Sequence, residues 1–182
     1  RRALVANTTG NDNDAFGRHA LEANTTGSQN VAIGRAALAS NTTANSNTAV
    51  GYSSLITNTT GASNSAIGED SLQANTTASD GTAVGFQTLY SNTTGGQNTG
   101  VGRKAMYTNT TGDNNVSVGF NSMFFNTTGA DNAALGTNAL QANTTGNYNV
   151  AIGRQSLTAN TTASQNTAVG YQALEDNTTG SP

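Results

Sequence analysis

Asn24 to Ser40 reads "NTTGSQNVAIGRAALAS", and the next seventeen residues, Asn41 to Thr57, read "NTTANSNTAVGYSSLIT". The two stretches align without a gap. N-T-T opens at Asn7 and returns every seventeen residues as far as Asn177. With its Asn as column one, the repeat is N-T-T-[GA]-x-x-N-x-A-[VI]-G-x-x-[AS]-L-x-x. Column eleven is always Gly, as at Gly34, Gly51, Gly68, Gly85 and Gly102. Column ten is a large aliphatic residue or Phe, column fifteen is Leu or Met, and column nine is small throughout, Ala in eight copies with Gly100 and Ser117 in the others. Residues 1–6 fit the end of a repeat, 7–176 hold ten full copies, and 177–182 begin another. The whole chain therefore reads as one repeat domain, and its broken ends suggest a piece of a longer fibre.

A fixed short period signals stacked units, each completing its neighbour's core. Seventeen residues is too few for a helical hairpin. An unvarying mid-repeat Gly and a β-branched Thr pair further oppose helix. Asn-Gly never occurs and Asp-Gly occurs once, at Asp80–Gly81, so hairpins lack their turn signal. What remains is an all-β fold, a parallel β-solenoid or β-roll of about ten rungs at about 4.8 Å each. The pattern predicts two short strands per coil, near columns eight to ten and thirteen to sixteen. Turns at Gly and at N-T-T-G would join them.

Composition is compatible with this and narrows the function. Leu, Ile, Val and Phe supply only 28 of 182 residues, a share below the roughly 20% under which chains tend to disorder. Net charge, however, is only -3 with 9% charged residues, so charge repulsion is not what fills the gap. The same weak charge leaves no footprint for nucleic acid or anionic lipid. No apolar run is long enough to insert in a membrane. Cysteine is absent, which removes disulfides and thiolate metal sites.

N-T-T also matches the N-glycosylation acceptor pattern. Sugars on every copy would sit about 4.8 Å apart along one edge, closer than a sugar ring is wide. The better reading of Asn24, Asn41, Asn58, Asn75 and Asn92 is a turn that stacks into a ladder of amides. The column-eleven glycines are read as the other turn of each coil.

Catalytic and metal readings fail on spacing. Asp12, Asp14 and Gly17 imitate the start of an EF-hand loop, but Phe16 takes a ligand position and Glu22 lies one place short. Glu69–Asp70 and Glu175–Asp176 are adjacent strand residues and point apart. His19, the only histidine, falls in a variable column and is expected in solvent. No enzyme, cofactor or metal is expected. Column twelve is more suggestive: Arg35, Tyr52, Phe86, Arg103, Phe120, Arg154 and Tyr171 form a mixed aromatic and basic stripe. It could touch a host or surface glycan or a protein partner, or simply vary as an outer face.

The segments "NVAIGRAAL", "NSAIGEDSL", "NTAVGFQTL" and "NVAIGRQSL" resemble the head repeats of YadA-type trimeric autotransporter adhesins. They look even more like the N-T-T-G repeat shafts of bacterial surface fibres and phage tail fibres. The resemblance covers essentially the whole chain. It implies a left-handed β-roll, three chains wide, serving as a stiff extracellular stalk or head on a cell surface or a virion. Seventeen residues exceeds the shorter head repeat of that family.

Columns nine and ten are both apolar although neighbouring strand residues face opposite ways. Column ten is expected to fill the coil's own core. Persistently small column nine then faces either a second wall of the same coil or a neighbouring subunit; the resemblance favours the subunit, in a trimer or other homopolymeric fibre. The expected function is a structural segment of an extracellular fibre or adhesin. The alternative is an ice-binding solenoid that uses its Thr ladders.

Overall fold

The computed structural model describes residues 2–180. Ten strands of three residues each fall in columns eight to ten: β1 (Asp14–Phe16), β2 (Val31–Ile33), β3 (Thr48–Val50), β4 (Ser65–Ile67), β5 (Thr82–Val84), β6 (Thr99–Val101), β7 (Val116–Val118), β8 (Ala133–Leu135), β9 (Val150–Ile152) and β10 (Thr167–Val169). They form one parallel sheet in chain order. Each residue pairs with the one seventeen places on, so Thr48, Ala49 and Val50 lie beside Ser65, Ala66 and Ile67. No helix occurs among the described residues. The chain is a β-solenoid of seventeen-residue turns.

Local chemistry explains where each strand stops. Columns eight and ten are mostly β-branched and suit an extended, pleated backbone. Column eleven then turns the chain with φ of 137° at Gly85, a region that L-residues rarely enter. A Cβ placed there would stand 2.7 Å from the carbonyl oxygen of Gly102 in the next rung. Glycine is needed both for the dihedral and for the approach of adjacent backbones.

The second predicted strand does not form. Columns thirteen to sixteen are turns, with left-handed residues at thirteen and fifteen, such as Gln87 (φ 54°) and Leu89 (φ 53°). Rungs are nevertheless joined there: Leu38 N–H donates to the Ser54 carbonyl at 3.0 Å, and Ser40 N–H to that of Ile56 at 3.1 Å. Seventeen residues must close a loop around a very narrow interior. Interleaved left-handed residues bend the chain tightly while keeping amides and carbonyls directed along the stack.

The two walls of the interior are unequal, and this reverses the expected roles of columns nine and ten. Column fifteen is fully buried through the stack, from Leu21 and Leu38 through Met106 and Met123 to Leu157. The Cβ position of residue 100, in column nine, lies 3.5 Å from both Leu89 Cδ1 and Met106 Cε. The long column-fifteen side chains therefore fill the space up to the strand wall, which leaves room only for Ala, Gly or Ser. Ala32, Ala49, Ala66, Ala83 and Ala151 are 0% exposed. Column ten, one residue on, must face outward. Ile33, Ile67, Val101, Leu135 and Ile152 are exposed, and Val50, Val84 and Val118 half-buried. Column nine thus faces its own coil, not a subunit.

Candidate functional site

Two columns of asparagine take the place of a larger hydrophobic core. In column one, Asn75 Nδ2 donates to Asn58 Oδ1 at 2.8 Å and to the Ala78 carbonyl at 3.1 Å. Asn24, Asn41, Asn58 and Asn92 repeat the same pair of bonds. The first bond ties one rung to the rung before; the second closes the turn that N-T-T-G makes. In column seven, Asn47 Oδ1 accepts both the backbone N–H and the Nδ2 of Asn64, while Asn64 Nδ2 also reaches the Ala78 carbonyl. Both columns are buried, and each amide finds partners in the next rung, as buried polar groups require.

The two threonines diverge. Column-two hydroxyls turn along the stack, Thr59 Oγ1 donating to the Thr76 carbonyl at 3.0 Å. Column-three threonines, from Thr26 through Thr162, are exposed.

Column twelve is outward, and its groups satisfy one another. The Arg35 guanidinium lies 5.5 Å from the centre of the Tyr52 ring, and Arg154 5.9 Å from that of Tyr171. Arg103 sits between Phe86 and Phe120, at 5.7 and 5.4 Å. Cation and ring belong to adjacent rungs, so these ring faces look along the stack. Each of these rings therefore has one face covered by a cation of a neighbouring rung. That geometry suits internal cation–π pairing better than stacking of a sugar ring on an open aromatic face.

A second aromatic ladder lies in column sixteen. Tyr90, Tyr107 and Phe124 stack at 5.0 and 5.1 Å between ring centres, Phe125 meets Phe124 edge-on, and Lys104 lies over Tyr107. The signal for it was present in the sequence as Tyr, Tyr and Phe seventeen apart. His19 is not free in solvent: it is half-buried, accepts a hydrogen bond from Arg18 Nε and pairs with Glu22. Among the described residues, no three His, Asp or Glu side chains converge as metal ligands would. No helix there is long and apolar enough to cross a membrane.

The outer face of the sheet is the feature that sequence reasoning assigned wrongly. It carries columns eight and ten, with Asp14 as its one charged residue. On it, Ile, Val and Leu of column ten from β2 to β10, exposed at six rungs and half-buried at Val50, Val84 and Val118, form a continuous apolar row beside a row of Thr, Val, Ser and Ala. Parity cannot be carried from column fifteen through the turns, because columns fourteen and fifteen are both buried, as at Ala37 and Leu38. Within the strand, the persistently small column nine is the sign of an inward position against a filled wall. No family model matches the chain, and no curated protein or solved structure matches it either.

Proposed function

We propose that this chain is a structural segment of an extracellular fibre or adhesin, at a cell surface or in a virion tail fibre, and that it assembles with copies of itself through the outer face of the sheet. The observation that carries the reading is the exposed apolar row of column ten. A row of Ile and Val running the length of a sheet, almost without charge, is an interaction surface rather than a solvated face. Its residues repeat once per rung, and a second copy of this chain carries the same row at the same spacing. A partner without that period would fall out of step after a few rungs. Three copies, as the resemblance to trimeric adhesin heads implies, would bury the row around a common axis.

Stiffness follows from the stack. Rungs are hydrogen-bonded to one another through the strand, both turns and two asparagine columns, the column-seven link being interrupted at Gly81. Such a rod transmits load along its axis and needs no catalytic group. Light scattering on the purified chain should give a mass that is a multiple of 18.4 kDa, three times for the trimer. A stable single chain at micromolar concentration would overturn the assembly.

A second reading rests on the exposed column-three threonines. They form a straight row of outward side chains at one-rung spacing, which is the kind of array that orders water at an ice surface. The row is one residue wide, because the column-two hydroxyls are engaged with backbone. Appreciable thermal hysteresis in dilute solution would favour this reading over the fibre.

A further inference from the structure

We infer that the N-T-T acceptor sites of the stack are masked by folding, so that N-glycosylation and closure of the rungs exclude one another. The sequence offers an N-x-T acceptor in every repeat. From Asn24 to Asn160 each acceptor asparagine is at most 1% exposed. Burial alone is not the decisive point. The Nδ2 atom that would accept the sugar donates both of its hydrogens: at Asn109 to Asn92 Oδ1 (2.8 Å) and the Gly112 carbonyl (3.0 Å), and at Asn126 to Asn109 Oδ1 (2.7 Å) and the Gly129 carbonyl (2.9 Å).

Transfer forms a bond from Nδ2 to the anomeric carbon of the sugar. The bond from that carbon to the pyrophosphate of an activated, lipid-linked oligosaccharide breaks, and the displaced hydrogen of Nδ2 leaves as a proton. The product amide keeps one hydrogen, so one of its two bonds is lost. The neighbouring rung also stands where the glycan must go, since Asn seventeen residues away is in hydrogen-bond contact. A modified asparagine therefore cannot occupy column one between two rungs, and from Asn24 to Asn160 the folded stack presents no acceptor. Asn7, half-buried and with a single Nδ2 bond to the Gly10 carbonyl, lies outside this mask. The row of acceptors is open only while the chain is unfolded.

The test has two arms. Folded protein is incubated with an oligosaccharyltransferase and its lipid-linked donor, beside the full chain carrying Gly68→Val and Gly85→Val, which opens the centre of the stack. Glycopeptide mapping should find no sugar on Asn24 to Asn160 of the folded protein, and sugar on Asn75 or its neighbours in the opened chain. In the second arm, the chain is secreted from a glycosylating host and separated by protease resistance. Glycan should be confined to the protease-sensitive fraction. A protease-resistant chain bearing a glycan at any of these positions would overturn the inference. So would an opened chain that stays unmodified, because the fold would then not be what refuses the sugar.

Discussion

The methyl group of Thr88 occupies the place where residue 100 would carry its Cβ: built on Gly100, that atom would lie 2.6 Å from Thr88 Cγ2. Elsewhere in the stack the equivalent pairs are Ser71 with Ala83 and Ser54 with Ala66, where a smaller column-fourteen residue leaves room for a methyl on the opposite wall. Thr88 is held in place by its hydroxyl, which donates to the Gly102 carbonyl at 2.5 Å. Gly100→Ala alone should therefore overpack the interior and cost about 1–3 kcal/mol. Thr88→Ser alone removes one buried methyl and should cost about 1 kcal/mol. Together they recreate the pair found at Ser54 with Ala66 and at Ser71 with Ala83, and the double variant should regain most of the loss. Urea melts of the four proteins measure the coupling; additive losses would mean that the two side chains do not share the space.

Gly81 is the one break in the column-seven ladder, and filling it should stabilise the protein. Its N–H still reaches Asn64 Oδ1 at 2.9 Å, but no side chain continues to Asn98. Asn98 consequently keeps its bond to the Gly112 carbonyl without the pair that Asn64 makes to the rung before. A Cβ on Gly81 would have Asn64 Oδ1 at 3.0 Å and Leu72 Cδ1 at 3.6 Å as its nearest neighbours, the closer being a side-chain oxygen that can yield. Gly81→Asn restores the ladder bonds and removes the unfolded-state freedom of glycine. A gain of about 1–2 kcal/mol is expected, read as a higher melting temperature. A fall would show that the rung has settled around the gap.

Much of this architecture was legible because a seventeen-residue period leaves few folds to consider. The strand at columns eight to ten followed from its β-branched residues. The second strand was misread because its signal is conformational. Column thirteen, with Asp70, Asn121 and Asn138 among its members, hints at left-handed backbone. Leu at column fifteen argues the other way, yet Leu72 has φ of 48° and Leu140 of 51°. Burial against the strand wall outweighs a cost of about 1–2 kcal/mol for each such residue. The outward row of column ten was missed for a different reason. Size alone places large apolar residues inside, whereas in so thin a coil the opposite wall decides how much fits.

Gly85 tests whether the column-eleven turn depends on glycine. Gly85→Ala should destabilise by at least about 1–3 kcal/mol, since the added Cβ both meets the Gly102 backbone and enters a forbidden dihedral. Gln87, two residues on, is a poor comparison because its own φ is 54°. Gln73, half-buried in column sixteen and outside the left-handed set, is better, and Gln73→Ala should change stability by less than about 0.5 kcal/mol. Thermal unfolding of the two variants side by side decides it; equal midpoints would remove the turn from the account.

Ala83 and Val84 are neighbours in β5 on opposite faces, so substitutions in columns nine and ten separate folding from assembly. Ala83 is fully buried inside the coil. Ala83→Leu should overpack that interior, costing about 1–3 kcal/mol per chain, and lower the melting temperature without changing the mass of the particles that remain folded. The outer row should behave in the opposite way. Ile67 and Val101, 43% and 36% exposed in the single chain, can carry a long charged side chain without entering the coil. The double variant Ile67→Lys, Val101→Lys should keep its β circular dichroism, while light scattering falls towards the mass of one chain, because two ammonium groups per copy would be forced into the contact. Unchanged particle mass in that variant would move the assembly off the sheet face. A loss of mass in Ala83→Leu at full circular dichroism signal would instead place the contact on the wall that the coil keeps for itself.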